Sequence, residues 1–269
     1  MTRDPDHRAS SRARVRLLIA VLASLAAVAA LVVVAHHRTT PPGTPSPPLP
    51  PSAAVGTGRP PGDAATTLAT RPMTWLPAQA AQPHSQTTRT AGPSITLPAP
   101  SLREGRWIPD GFPATPEGAL AQLVAFNQAG VSGGDPDTYD RAYAVLALPG
   151  APPVAEAGLH VLLREFRAAA HLDPGEMAEG LVVRYEITHG LIKGSAEDGR
   201  YVVACTLGQF TADYHGYGTS VGVGDCQALR WTGAGWRISP GARAAYAASA
   251  WPGTSEAVDA GYRALDGAR

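Results

Sequence analysis

The chain has 269 residues with 22 basic and 22 acidic side chains, so its formal net charge is zero. That balance hides an asymmetry: residues 1–16 carry Arg3, Arg8, Arg12, Arg14 and Arg16 against Asp4 and Asp6, while residues 101–269 carry 19 acidic and 13 basic side chains. A mildly acidic body lacks the electrostatic footprint of a nucleic-acid binder and argues against DNA or RNA as a partner. Gly (29) and Pro (26) are in excess and the Pro is concentrated before residue 101, so the core is expected to come from the later part of the chain.

Residues 17–35 are uncharged, with Ser24 as the one polar side chain. As a helix this run spans about 29 Å, close to the roughly 30 Å of a bilayer core. A cleaved signal peptide is the rival reading, but its apolar region is typically about 7–15 residues and ends in a small-x-small site. This run is longer and ends Val-Val-Val-Ala-His-His, which favours an uncleaved transmembrane helix. No cysteine stands close behind it, which excludes a lipoprotein. The Arg cluster before it makes residues 1–16 a cytoplasmic basic head and places the chain beyond the apolar run outside the cytoplasmic membrane, in a single-pass arrangement.

Residues 36–104 are rich in Pro, Thr and Ala, with Pro41-Pro42, Pro47-Pro48, Pro50-Pro51 and Pro60-Pro61, and show no apolar periodicity. The expectation is a disordered stalk with polyproline stretches. Met73 and Trp75 are isolated apolar residues there, open to two readings: incidental side chains, or a docking peptide.

Residues 105–269 read as one extracytoplasmic α+β domain. Thr115-Pro116 supplies a cap and first-turn proline for a helix with Leu120, Leu123, Val124 and Asn127 on one face, ending at Gly130. Asp135-Pro136 starts a second helix, with Tyr139, Ala142, Tyr143 and Leu146 sharing a face. A third is expected from about Pro153 to His171. The period then changes. Leu181, Val183, Tyr185 and Ile187 alternate with Val182, Arg184, Glu186 and Thr188 as a half-buried strand, and further strands are expected at residues 201–210, 221–231 and 236–239. Ala-rich residues 241–250 and 254–265 read as two short helices. Helices succeeded by strands imply three helices packed on a four-stranded antiparallel sheet.

Cys205 and Cys226 are the only cysteines. If their strands pair as a hairpin centred near His215 and Gly216, the two lie directly opposite, and an oxidising exterior permits a disulfide; two separately buried thiols are the alternative. Neither a CxxC nor a histidine cluster accompanies them, so no metal site and no cofactor is implied. Gly130-Val131-Ser132-Gly133-Gly134 matches the G-x-S-x-G nucleophile pattern in letters, yet a helix stands where that motif needs a strand. Asp213, Tyr214, His215 and Tyr217 form the one candidate ligand loop, grouping acid, phenol and imidazole, although a hairpin connection is enriched in such residues without any chemistry. No catalytic residue is assigned.

The order of elements behind an N-terminal anchor resembles the cystatin-like cone of the nuclear transport factor 2-like superfamily. Within it, the chain is similar to the bitopic assembly factors of type IV secretion and conjugation machines. The segments Ile108-Pro109-Asp110-Gly111-Phe112-Pro113-Ala114-Thr115-Pro116-Glu117-Gly118-Ala119 and Leu229-Arg230-Trp231-Thr232-Gly233-Ala234-Gly235-Trp236-Arg237-Ile238 look like the opening and closing segments of uncharacterised actinobacterial membrane-anchored proteins. The resemblance implies a non-enzymatic interaction module with protein partners in a membrane complex, such as an accessory of a conjugative transfer or secretion apparatus. The alternatives are a small lyase or isomerase using the concave face of the cone, and a module that binds a ligand or the cell wall.

Overall fold

The computed structural model describes residues 61–176 and 178–267. The basic head, the apolar run at residues 17–35 and the first part of the expected stalk lie outside the described residues. Among the described residues no helix is long and apolar enough to cross a membrane.

Eleven regular elements are described, in chain order: α1 (Pro61–Thr70), β1 (Ile95–Thr96), α2 (Pro116–Val131), α3 (Pro136–Leu146), α4 (Gly158–Ala169), β2 (Leu181–Ala196), β3 (Tyr201–Tyr214), β4 (Tyr217–Trp231), β5 (Trp236–Ile238), α5 (Ser255–Asp259) and β6 (Arg263–Asp266). The strands form one curled sheet in the order β1-β6-β2-β3-β4-β5, with β1 and β6 parallel and the other neighbours antiparallel. The cystatin-like cone of three helices on a four-stranded antiparallel sheet is therefore overturned: the sheet is six-stranded and mixed, and five α-helices are described.

Local signals set the helix starts where the sequence places them. Thr115 Oγ1 accepts from the Gly118 amide at 3.1 Å, and Asp135 Oδ1 from the Asp137 amide at 3.2 Å, each with a proline next in the first turn. The third helix is shorter than expected, because a 3-10 turn at Val154–Glu156 precedes α4. These three helices cover one face of the sheet. Leu120, Leu123, Phe126, Leu159 and Phe166 pack there against Val202, Ala204 and Phe210, with the Phe166 and Phe210 rings 5.5 Å apart. Burying each such side chain is worth about 1.5–3 kcal/mol.

The second face carries the main correction. Stalk residues 61–97 do not stand apart as a disordered spacer, and the Ala-rich residues 241–250 are not helical. Residues 65–76 and 242–262 lie on the back of the sheet, where Ala65, Ala69, Ala244, Ala248 and Tyr262 pack on Tyr201, Val203, Cys205 and Leu207, while Ile95 and Leu97 at the β1 edge join the helix-side core. The chain's one lysine fastens α1: Lys193 Nζ donates to the carbonyls of Ala69, at 3.3 Å, and Arg71 at the helix's C-terminal end. These two segments also bond to each other, through Ala245 N to Ala69 O (2.9 Å), Trp251 N to Ala80 O (2.6 Å) and the β1–β6 pairing. The second predicted C-terminal helix is likewise corrected, splitting into α5 and β6, whose Arg263 and Ala264 pair with Gly190 and His189 of β2.

The β3–β4 register places Cys205 opposite Cys226, and their sulfurs are joined. His215 and Gly216 make the two-residue turn, both with positive φ, as a type I′ hairpin requires. The two quoted terminal segments of the domain also meet: Arg237 pairs with Asp110 at 2.8 Å, and buried Trp236 donates from Nε1 to Pro113 O at 2.8 Å.

Residues 247–251 run so close to β4 that only glycine fits beneath them. A Cβ on Gly222 would lie 1.9 Å from the Ala250 carbonyl oxygen, and one on Gly224 2.5 Å from that of Ala248. Gly222→Ala is expected to destabilise the domain by about 2 kcal/mol or more by displacing this segment, while Gly218→Ala, on the same strand, changes stability by less than about 0.5 kcal/mol. Urea unfolding of the two variants checks the contrast.

Candidate functional site

β5 covers β4 only at residues 229–231, so the outer edge of β4 from residue 221 to 227 has no strand beside it among the described residues. Three segments gather at that edge instead. They are residues 73–81 after α1, the start of α4 with the turn before it, and residues 243–249 from the C-terminal part. The Gly224 amide, which a neighbouring strand would otherwise satisfy, donates to Ser249 Oγ at 3.1 Å. Between these walls lies a groove of about 90 Å³, lined mainly by apolar side chains.

Asp225 is the polar centre of the groove and is 2% exposed. Its carboxylate accepts from Asn127 Nδ2 of α2 (3.2 Å), from Gln227 Nε2 (3.3 Å) and from the Leu159 amide in the first turn of α4. The residue preceding α4 is Ala157, which has no side chain to cap with, so Asp225 supplies the cap from across the sheet. Asn127 Nδ2 also reaches Thr206 Oγ1 at 3.0 Å, which ties β3 into the same cluster. Burial pushes the Asp225 carboxyl up to about 6, against the opposing pull of its Gln227, Asn127 and Leu159 donors and the Arg243 charge. Tyr185 crosses β3 over Gly208 and donates to the Val223 carbonyl at 2.9 Å; burial raises its phenol, as it does that of Tyr139.

At the mouth, the Arg243 guanidinium stands 4.0 Å from the Tyr246 ring centroid, and its Nε is 3.6 Å from Glu156 Oε2. Trp75 is 54% exposed and forms part of the wall beside Met73 and Leu76. The two lone apolar residues of the stalk thus belong to a groove of their own chain.

The candidate loop of Asp213, Tyr214, His215 and Tyr217 is brought together at the tip of the β3–β4 hairpin, and none of the four lines the groove. Asp213 Oδ1 accepts from the Gly216 amide at 2.9 Å, which stabilises the turn, and the His215 ring covers Gly180 and contacts Tyr214 at 4.4 Å between centroids. Tyr217 is exposed. Cys226 does line the groove, with Cys205 opposite it on β3. Ser132 sits in a 3-10 turn behind a helix, so the strand a nucleophile elbow needs is not there. Among the described residues no group of three or more His, Cys, Asp or Glu is placed to hold a metal ion.

Sequence reasoning missed Asp225, Gln227, Arg243 and Tyr246. One signal was present: Asp225 follows the apolar and glycine run Val221-Gly222-Val223-Gly224 within a strand, where a charge needs a buried partner. No family model, curated protein or solved structure matches the chain.

The Asp225 carboxyl binds its proton more tightly in the folded state than the ordinary value of 3.8 allows, so folding takes up a proton between about pH 4 and pH 6. Stability is therefore lost as pH rises through that window, by on the order of 3 kcal/mol from this group. In chemical unfolding from pH 4 to 7, Asp225→Asn should remove that downward slope. Parallel curves for the two proteins would show that Asp225 does not titrate in this way.

Proposed function

We propose that this protein is a non-catalytic interaction module, held outside the cytoplasmic membrane by residues 17–35, that binds a protein partner by taking one projecting side chain into the groove beside β4. The observation that carries the reading is the groove's size. At about 90 Å³ it is well below the roughly 300–1,000 Å³ of sites that enclose a small-molecule substrate. A recess of that size takes in a side chain and leaves the bulk of any substrate outside.

The surroundings support the same reading. An apolar pocket with a polar rim and an exposed tryptophan at its lip is the local composition of an interface anchor point. Asp225 is committed to three donors and to the end of α4, a structural duty that accounts for a buried carboxylate without a reaction. The Arg-flanked apolar run supports the membrane setting. A partner drawn from a conjugative or secretion apparatus fits that setting.

Placing a photo-crosslinking residue at Thr74, which is exposed and lines the groove, tests this in intact cells. One discrete crosslinked protein is expected, and it should disappear when the groove is filled by Ala78→Trp with the domain still folded. A crosslink that Ala78→Trp leaves unchanged, or none at all, would overturn the proposal.

A further inference from the structure

A side chain of one chemical kind already stands at the groove's mouth. Arg243, from the C-terminal segment, lays its guanidinium 4.0 Å from the centroid of Tyr246 and within 3.6 Å of Glu156, and its charge reaches Asp225 at the groove's centre. The charged lining comprises two carboxylates, Glu156 and Asp225, against that single guanidinium, so the site as a whole carries an excess of negative charge. Two aromatic side chains line the groove, Tyr246, whose face Arg243 covers, and Trp75. Aromatic faces together with carboxylates are the combination that attracts a planar or compact cation, and low-dielectric walls strengthen the attraction.

From this arrangement we infer that the side chain the groove takes from its partner is basic, an arginine or lysine, which enters between Tyr246, Trp75 and Glu156 and displaces Arg243 from its place. This rests on the reading of the groove as a side-chain socket, and it adds the chemical class of the anchor and a built-in competitor. Arg243 holds the cation position in the free protein. Its side chain is 31% exposed and its contact with Glu156 is at the solvent edge, so exchanging it for another cation trades one guanidinium for an equivalent one. Such a surface selects against partners that offer a carboxylate, because Glu156 at the rim and the buried charge of Asp225 would both repel it.

The test is calorimetric titration of the full-length chain with capped pentapeptides of the form Gly-Gly-X-Gly-Gly, with X as Arg, Lys, Leu or Glu, and with free butylammonium. The Arg and Lys peptides should bind, about tenfold or more tighter than the Leu peptide, with the Glu peptide showing no saturable signal. Glu156→Gln, a change at an exposed side chain, should weaken the Arg and Lys peptides about fivefold and leave the Leu peptide unchanged. Arg243→Met should strengthen both basic peptides by removing the competitor, and Ala78→Trp should abolish all binding. Leu binding as well as or better than Arg, still blocked by Ala78→Trp, would overturn the basic anchor and leave the socket standing. Binding of no peptide, or binding that Ala78→Trp does not touch, would overturn both. Butylammonium binding more tightly than the Lys peptide would overturn the protein-borne source.

Discussion

Every residue from 201 to 208 in β3 is buried, on both faces of the sheet, and this burial dictates the rest of the architecture. Even-numbered residues such as Val202 and Ala204 face α2 and its neighbours, while Tyr201, Val203, Cys205 and Leu207 face the other way. Leaving that second set in water would forfeit about 25 cal/mol for each Å² of apolar area. The chain covers it with two of its own segments: α1 and the residues after it from one side, and residues 241–262 from the other. Small side chains make this possible, since the covering layer is mostly alanine and its backbone rests directly on Gly222 and Gly224.

The groove is a consequence of how that cover ends. The two segments meet along the part of β4 that β5 does not reach, and they satisfy its edge through Ser249 and through each other without adding a strand. Side chains from three separate stretches of sequence then converge on one recess, with Asp225 at its centre linking α2, α4 and the sheet. A site assembled this way is buried at Asp225 and open where Trp75 and Arg243 stand at the rim. That division suits recognition of a partner, in which a fixed pocket and an adjustable border contribute separately.

Much of the helical layer was legible because its signals are local. Thr115-Pro116 and Asp135-Pro136 cap the helices they precede, and the turn at His215-Gly216 sets a register that pairs Cys205 with Cys226. The second layer was not legible from composition. Proline and threonine in residues 61–97 suggest a chain without a core, yet those residues need no core of their own when Ala65 and Ala69 can use the back of β3. The warning lay in β3 itself: a strand reading Tyr-Val-Val-Ala-Cys-Thr-Leu does not alternate, and continuous apolar character marks a strand buried on both faces. Residues 241–250 misled in the opposite sense. Their alanines favour a helix by intrinsic propensity, but residues 247–250 lie against Gly222 and Gly224 in an irregular, non-helical path, an instance of packing overriding local preference. Asp225 and Arg243 are 18 positions apart and line one groove only because of that path.

The central claim is that the two covering segments form one layer that the sheet requires, and native-state hydrogen exchange of the full-length chain addresses it directly. The amides of Ala245, Trp251 and Leu97, which bond across these segments, should exchange with protection close to that of β3 and should lose it together. Rapid exchange throughout residues 64–97 while β3 remains protected would contradict the account, since it would mean that the sheet holds without its second cover and that the groove is not a standing feature of the fold.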